Sequence, residues 1–123
     1  MCNGTIWPLF HDRVRLPQFH RHWWRAFHAV NERFADAVAS GADRAPIWVH
    51  DYQLALVPGA IRRRQPDARI GFFLHIPFPP ASILAQLPWR RELLEGLLGA
   101  DALGFQTQDD VAHFRAAAQR FAG

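Results

Sequence analysis

Three apolar segments of the chain each stop at polar residues. Trp48-Val49 runs into His50-Asp51-Tyr52, Phe73-Leu74 into His75, and Gly104-Phe105 into Gln106-Thr107. A carboxylate accepts hydrogen bonds from hydroxyls, and a neutral imidazole both donates and accepts. Asp51 and His75 are therefore candidates for holding a polar ligand. Capping of the following helix is the competing reading: it is preferred for Thr107, stays open for Asp51, and is weak for His75, which is followed by prolines. Trp7, in the irregular stretch Thr5–His11, either packs or offers its face to a sugar ring. Other chemistries lack their residues. Seven histidines invite a metal, but His20 and His22 lie two apart on a helix and no His-Glu-x-x-His pattern occurs, so no metal site is expected. Cys2 is the single cysteine, which excludes a disulfide framework, and it sits at the terminus without a positioned base. A Gly-x-Ser-x-Gly elbow, a phosphate loop and a glycine-rich dinucleotide fingerprint are all missing.

The elements that must position these residues follow from periodicity. Residues 1–17 read as irregular, punctuated by Gly4, Pro8 and Pro17. Phe19, Trp23, Phe27, Val30, Phe34 and Val38 recur at steps of three and four and predict one apolar face of a helix over 18–40, closed by a left-handed cap at Gly41. Trp24 falls at the margin of that face. Ile47-Trp48-Val49 predicts a buried strand, with Trp48 in the core, and 53–65 a helix ending before Pro66. Residues 69–74 predict a second strand, which enters the irregular Ile76-Pro77-Phe78-Pro79-Pro80. Residues 82–98 are helical in character with a break near Pro88, where Trp89 is either a lid or a packing residue. Ala102–Phe105 is a third strand. Thr107 with Asp110 resembles a capping box before a last helix lined by Val111, Phe114 and Phe121. Apolar strands alternating with helices indicate an α/β fold, a parallel sheet with helices on both faces. In such a sheet ligands bind beyond the carboxyl ends of the strands, which gathers His50-Asp51, His75 and Gln106 on one edge.

Length and composition bound the rest. The 123 residues make one domain at most, and 50% hydrophobic with 13% aromatic residues supply a core. No segment approaches the roughly 20 apolar residues of a membrane span, and the first ten residues do not form a secretory signal. A reduced, cytoplasmic setting is the expectation. The charge of +3 comes from fourteen arginines and no lysine against eleven acids. The arginines are scattered, with no coherent basic stripe, so nucleic acid is not an expected partner. Arg62-Arg63-Arg64 read as a solvated helix end.

Four segments become specific together: Asn3–His11 (NGTIWPLFH), Trp48–Leu54 (WVHDYQL), Gly71–Pro79 (GFFLHIPFP) and Leu103–Thr107 (LGFQT). In this order they resemble the trehalose-6-phosphate synthases, retaining glycosyltransferases of two Rossmann-like domains, the GT-B architecture. The resemblance covers essentially the whole chain. It implies transfer of glucose from UDP-glucose to glucose 6-phosphate, giving α,α-trehalose 6-phosphate and UDP. UDP-glucose is then a co-substrate, and no cofactor or metal is implied. By resemblance Asp51 binds acceptor hydroxyls and His75 contacts the donor glucose; these two are the candidate catalytic residues. Trp7 shapes the acceptor pocket and, with Ile76, selects the α anomer. Tyr52 and Gln106 join them as candidate substrate-binding residues.

That family's chains are several times longer. Its glycine-rich loop, an arginine for the acceptor phosphate and an acceptor-binding tyrosine would precede Met1. The domain that grips the donor diphosphate would follow Gly123. The chain is therefore expected to be an internal piece of the acceptor-side Rossmann-like domain, inactive alone, and prone to poor solubility or self-association through open strand edges. A homo-oligomer is compatible with the full-length protein. Two other readings stay open: a glucosylglycerol-phosphate synthase with a smaller acceptor, and a non-catalytic, partner-binding remnant.

Overall fold

The strand-forming runs pair as the apolar pattern demands. In the computed structural model, which describes residues 1–11, 17–41 and 44–123, β1 (Ile47–His50), β2 (Ile70–Phe73) and β3 (Ala102–Gly104) form a parallel sheet in the order β1-β2-β3. The register sets Ile47 beside Ile70, His50 beside Phe73, and Phe73 beside Gly104. The helices are α1 (Trp7–Phe10), α2 (Arg21–Ala39), α3 (Val57–Arg64), α4 (Ala81–Leu84), α5 (Arg90–Leu97) and α6 (Gln108–Phe121). The expected parallel α/β arrangement is thus observed. Val49, Ile70 and Phe72 are buried on one side of the sheet. The opposite side is open at β1, where Trp48 is 58% exposed. Among the described residues Trp48 therefore lies outside the packed core. Strand side chains alternate between faces, so an unbroken apolar run does not by itself bury both.

Several boundaries and faces move. Cys2–Ile6 is a π-helical turn continued by α1, with Pro8 as the second residue of α1; Gly4 O, four residues earlier, is satisfied instead by Gln18 N–H at 2.8 Å. The irregular reading of this stretch is corrected there, and residues 12–16 lie outside the described ones. The helix read over 53–65 is a 3₁₀ turn at Tyr52–Leu54 followed by α3. Helix α2 buries Trp24, Phe27, Asn31 and Ala35, a stripe rotated from the expected one, and exposes Val30, Phe34 and Val38. Two anchors explain the rotation. The Trp24 ring stacks on Trp89 at 5.2 Å with the planes within 2°. The Asn31 amide donates to Phe27 O and Gln53 O, and its Oδ1 accepts from Leu56 N–H. Trp24 and Trp89 are packing residues. Gly41 has no positive φ, and Ser40 ends the helix in right-handed geometry.

The arginine run is paired rather than only solvated. Arg64 bonds Glu32 at 2.6 Å and Asp36 at 2.7 Å, and Arg63 bonds Glu32 at 2.6 Å, tying α3 to α2. Arg62 donates to Gly99 O, Pro66 O and Ala68 O and meets Asp101 at 2.9 Å. Asp101 in turn accepts from Ile70 N–H at 2.8 Å, so this pair pins the start of β2. The Ile70 N–H first, and then Arg62, hold the Asp101 carboxyl below its ordinary value of 3.8. A depressed carboxyl stabilises the fold above that value and loses its contribution as the pH falls through the lowered one. Asp101→Asn is therefore expected to flatten the acid limb of the stability profile, while the wild type loses stability more steeply below about pH 4; urea midpoints against pH read this directly.

Helices α3 and α5 meet backbone to backbone. A Cβ on Gly99 would lie 2.4 Å from Gly59 Cα, and one on Gly96 would lie 2.9 Å from Leu56 Cα. Only glycine permits that approach. It places the turn after α5 close enough for β3 to join the sheet beside β2.

Candidate active site at the carboxyl edge of the sheet

The parallel strands deliver His50, Asp51 and His75 to one edge. Asp51 leaves β1 with φ 75° and ψ 168°, the one described non-glycine residue with positive φ. That region is occupied almost only by glycine, and holding another residue there costs on the order of 1–3 kcal/mol. Two bonds impose it. Asp51 N–H donates to Phe73 O at 2.8 Å, extending the β1–β2 ladder by one residue. Asp51 Oδ1 accepts from His75 N–H at 3.2 Å. The carboxylate is half-buried and binds the backbone of the other candidate residue. Its second oxygen has no protein partner among the described residues.

His75 is exposed, yet its loop is firm. Leu74 N–H bonds Gly104 O at 2.9 Å, and Leu74, Ile76 and Phe78 are buried. The Phe78 ring packs edge-on against Phe10 and Phe114, with centroids at 5.3 Å in both pairs. Helix α6 grips the Phe78 backbone from both sides. Asp110 Oδ1 accepts from Phe78 N–H at 3.0 Å, and His113 donates Nδ1–H to Phe78 O at 3.0 Å. The Thr107 hydroxyl caps α6 by accepting from Asp110 N–H, as expected. The Asp110 carboxylate, however, does not complete the box and serves the loop after His75 instead. The prolines forbid a helix here, and these contacts replace its hydrogen bonds.

Beyond β1 lies an aromatic wall. The half-buried Trp7 ring sits 3.8 Å from the His11 ring and 6.0 Å from the Tyr52 ring. His11 donates Nδ1–H to Trp7 O at 2.8 Å. Tyr52 is buried; desolvation pushes its phenol up, with Cys2 and Asp51 adding to the shift, so it is a neutral hydroxyl at physiological pH.

The structure thus brings together Asp51 and His75, and separately Trp7 and Tyr52. Ile76 is 5% exposed, within the core beneath the loop. Gln106 is exposed past the end of β3, and among the described residues no bond joins it to Asp51 or His75. Sequence reasoning named His50 only as a strand end, gave Asp110 only a capping role, and assigned no role to His11 or His113. Strand parity was the available signal for His50: it and His75 fall on the same side of neighbouring strands. Hollows of about 330 and 360 Å³ lie elsewhere, one lined by Arg44, Ile47 and Gln65, the other by Trp24, Glu32 and Glu92. No group of three or more histidine, cysteine or acidic side chains able to hold a metal occurs among the described residues.

The family model for glycosyltransferase family 20 matches residues 1–123. The chain belongs to glycosyltransferase family 20. It is 49% identical over 122 residues to the trehalose-6-phosphate synthase of Mycolicibacterium smegmatis, covering 98% of this chain and 24% of that one. The Mycolicibacterium gilvum synthase is 51% identical over the same length. The fold matches an Escherichia coli structure bound with UDP-2-fluoro glucose, with a TM-score of 0.90, 41% identity, and coverage of 96% of this chain and 26% of that one. An α,α-trehalose-phosphate synthase (UDP-forming) of Burkholderia xenovorans in complex with glucose 6-phosphate matches with a TM-score of 0.89 at 41% identity, over 97% of this chain and 26% of that one. This family 20 chain therefore carries part of the GT-B glycosyltransferase fold and spans about a quarter of the length of the curated relatives it matches. No described helix is long and apolar enough to cross a membrane.

Proposed function

We propose that this chain supplies the acceptor-side part of a trehalose-6-phosphate synthase. It would be part of an amino-terminal Rossmann-like domain, with the nucleotide-binding domain outside the 123 residues. The observation that carries the reading is the joint at the sheet edge: a strained Asp51 whose carboxylate holds the backbone of His75. Strain kept in place by two bonds is characteristic of a site rather than a scaffold. Family membership and the two liganded relatives support a UDP-sugar and a sugar 6-phosphate as the substrates.

In this reading the unshared oxygen of Asp51 accepts from acceptor hydroxyls, and His75 meets the donor glucose. Trp7, with Tyr52 behind it, walls the acceptor. Ile76 acts from beneath the loop to select the α anomer, and Gln106 closes the far end of the edge. The acceptor oxygen forms a bond to C1 of glucose as the bond from C1 to the diphosphate oxygen breaks. UDP leaves on the same face and takes the acceptor proton, so configuration is retained without a protein nucleophile. Positioning and stabilisation of the leaving diphosphate carry the catalysis. The reaction as written needs no cofactor, and a cytoplasmic setting suits its soluble substrates.

A segment exchange tests this. The corresponding stretch of the M. smegmatis synthase is replaced by this chain, and trehalose 6-phosphate formation is followed by UDP release. The exchanged enzyme is expected to turn over, and His75→Ala within it to lose about 10²-fold in kcat, the value of a hydrogen bond or two made in the transition state. The 123-residue chain alone is expected to release no UDP. A folded, soluble exchange enzyme without activity would instead mark the chain as a non-catalytic remnant.

A further inference from the structure

The His50 and His75 rings are joined. His50 Nδ1 and His75 Nε2 lie 2.9 Å apart. The ring centroids are 5.2 Å apart with the planes within 23°. Imidazole lone pairs lie in the ring plane, so this is the arrangement of two rings linked end to end rather than face over face. The backbone presets it. His50 pairs with Phe73 across the ladder, His75 follows two residues later on the same side, and Asp51 bonds both Phe73 O and His75 N–H. On the flanks, the His75 ring rests 4.8 Å from the Phe73 ring, and the His50 ring meets the edge of Trp48 at 5.6 Å.

Only two neutral arrangements make this bond. If His50 donates from Nδ1, both rings must carry their proton on Nδ1. If His75 donates from Nε2, both carry it on Nε2, the favoured tautomer of a free histidine side chain. The second arrangement satisfies both rings without a tautomer cost, and in a histidine the bond made by one nitrogen fixes the role of the other.

We infer that His50 is a positioning residue for His75: His50 Nδ1 accepts the Nε2–H of His75, fixing that ring's tautomer and plane and leaving His75 Nδ1 as its acceptor for a sugar hydroxyl. The inference deepens the transferase reading and rests on it for the identity of the sugar. The tautomer itself does not depend on that reading. His50 is exposed and touches no ligand in this scheme; it acts through His75.

Long-range proton–nitrogen spectra of the imidazoles near pH 7.5 test it in the chain itself. Wild-type His75 is expected to show a protonated Nε2 and an unprotonated Nδ1. His50→Phe, which removes the acceptor, is expected to return His75 to a mixture of tautomers. His50→Gln, whose Oε1 can still accept, is expected to restore the single form. Loss of a packing residue would give no such rescue. A wild-type His75 protonated on Nδ1, or a tautomer unchanged in His50→Phe, overturns the inference. In the exchanged synthase, His50→Phe is expected to lower kcat about tenfold with the acceptor KM little changed, through lost orientation of His75, and His50→Gln to recover it. An unaltered kcat in His50→Phe overturns the functional half. An inactive exchange enzyme whose spectra still show the tautomer switch leaves the positioning role standing and removes the transferase reading.

Discussion

Asn31→Leu is expected to lower stability by about 2–4 kcal/mol, although leucine fits a buried helix face by size. Asn31 is fully buried, and each of its polar atoms is engaged. Its amide donates to Gln53 O at 3.0 Å, and its Oδ1 accepts from Leu56 N–H at 3.1 Å. These are backbone groups of the turn between β1 and α3, which lack helical or ladder partners there. The variant leaves Leu56 N–H buried and unpaired, the larger penalty, and Gln53 O only partly hydrated. Urea unfolding measures the difference. A loss under 1 kcal/mol would mean that water replaces the amide. Asn31→Asp sharpens the test. One carboxylate oxygen still accepts from Leu56 N–H, while the other faces Phe27 O and Gln53 O, which only a protonated carboxyl can satisfy. The folded-state pKa is thereby raised above the unfolded value near 4. A raised carboxyl destabilises increasingly as the pH climbs above the unfolded value, so the gap from wild type is expected to be small near pH 3.5 and to widen toward neutrality.

Asn31 also shows why part of the fold was legible and part was not. β1 and β2 could be read because Ile47–Val49 and Ile70–Leu74 are short, nearly continuous runs rich in β-branched and aromatic residues, whereas β3, Ala102–Gly104, was legible only as a short apolar run between two helical stretches. The edge rule for parallel sheets then placed Asp51 and His75 together without any distance. The face of α2 was misread because the helix is apolar on two sides. Counting apolar residues favours the side with Val30, Phe34 and Val38. The side that packs has a polar residue at its centre, whose value lies in bonds to a turn more than twenty residues away in sequence. Trp48 was misplaced for a related reason: composition says that a strand is apolar but not which of its faces a helix covers. At the site, the types of Asp51 and His75 were informative, while the His50–His75 bond was not, since it follows from the β1–β2 register. The clamp of Asp110 and His113 on Phe78 is likewise a tertiary contact, across more than thirty residues.

Substitutions at Asp51 are expected to separate strain from chemistry. Asp51 holds φ 75°. Asp51→Gly loses the Oδ1 bond to His75 N–H, about 1 kcal/mol, and a further 0.5–1 kcal/mol, roughly, through the greater freedom of glycine in the unfolded chain. It also releases strain on the order of 1–3 kcal/mol. The terms nearly cancel, so Asp51→Gly should unfold within about 1 kcal/mol of wild type. Asp51→Ala loses the same bond but keeps the strain, and should be less stable than Asp51→Gly by about 1–2 kcal/mol. Activity in the exchanged synthase should follow another order. Both variants lack the carboxylate, and two hydroxyl bonds to a charged acceptor are together worth about 3 kcal/mol or more, on the order of 10²-fold in kcat/KM. Glycine and alanine should then be equally poor catalysts while differing in stability. If activity instead tracked stability, with Asp51→Gly close to wild type, the carboxylate would serve only to hold the chain. The acceptor would then have to be bound by the backbone of the His75 loop.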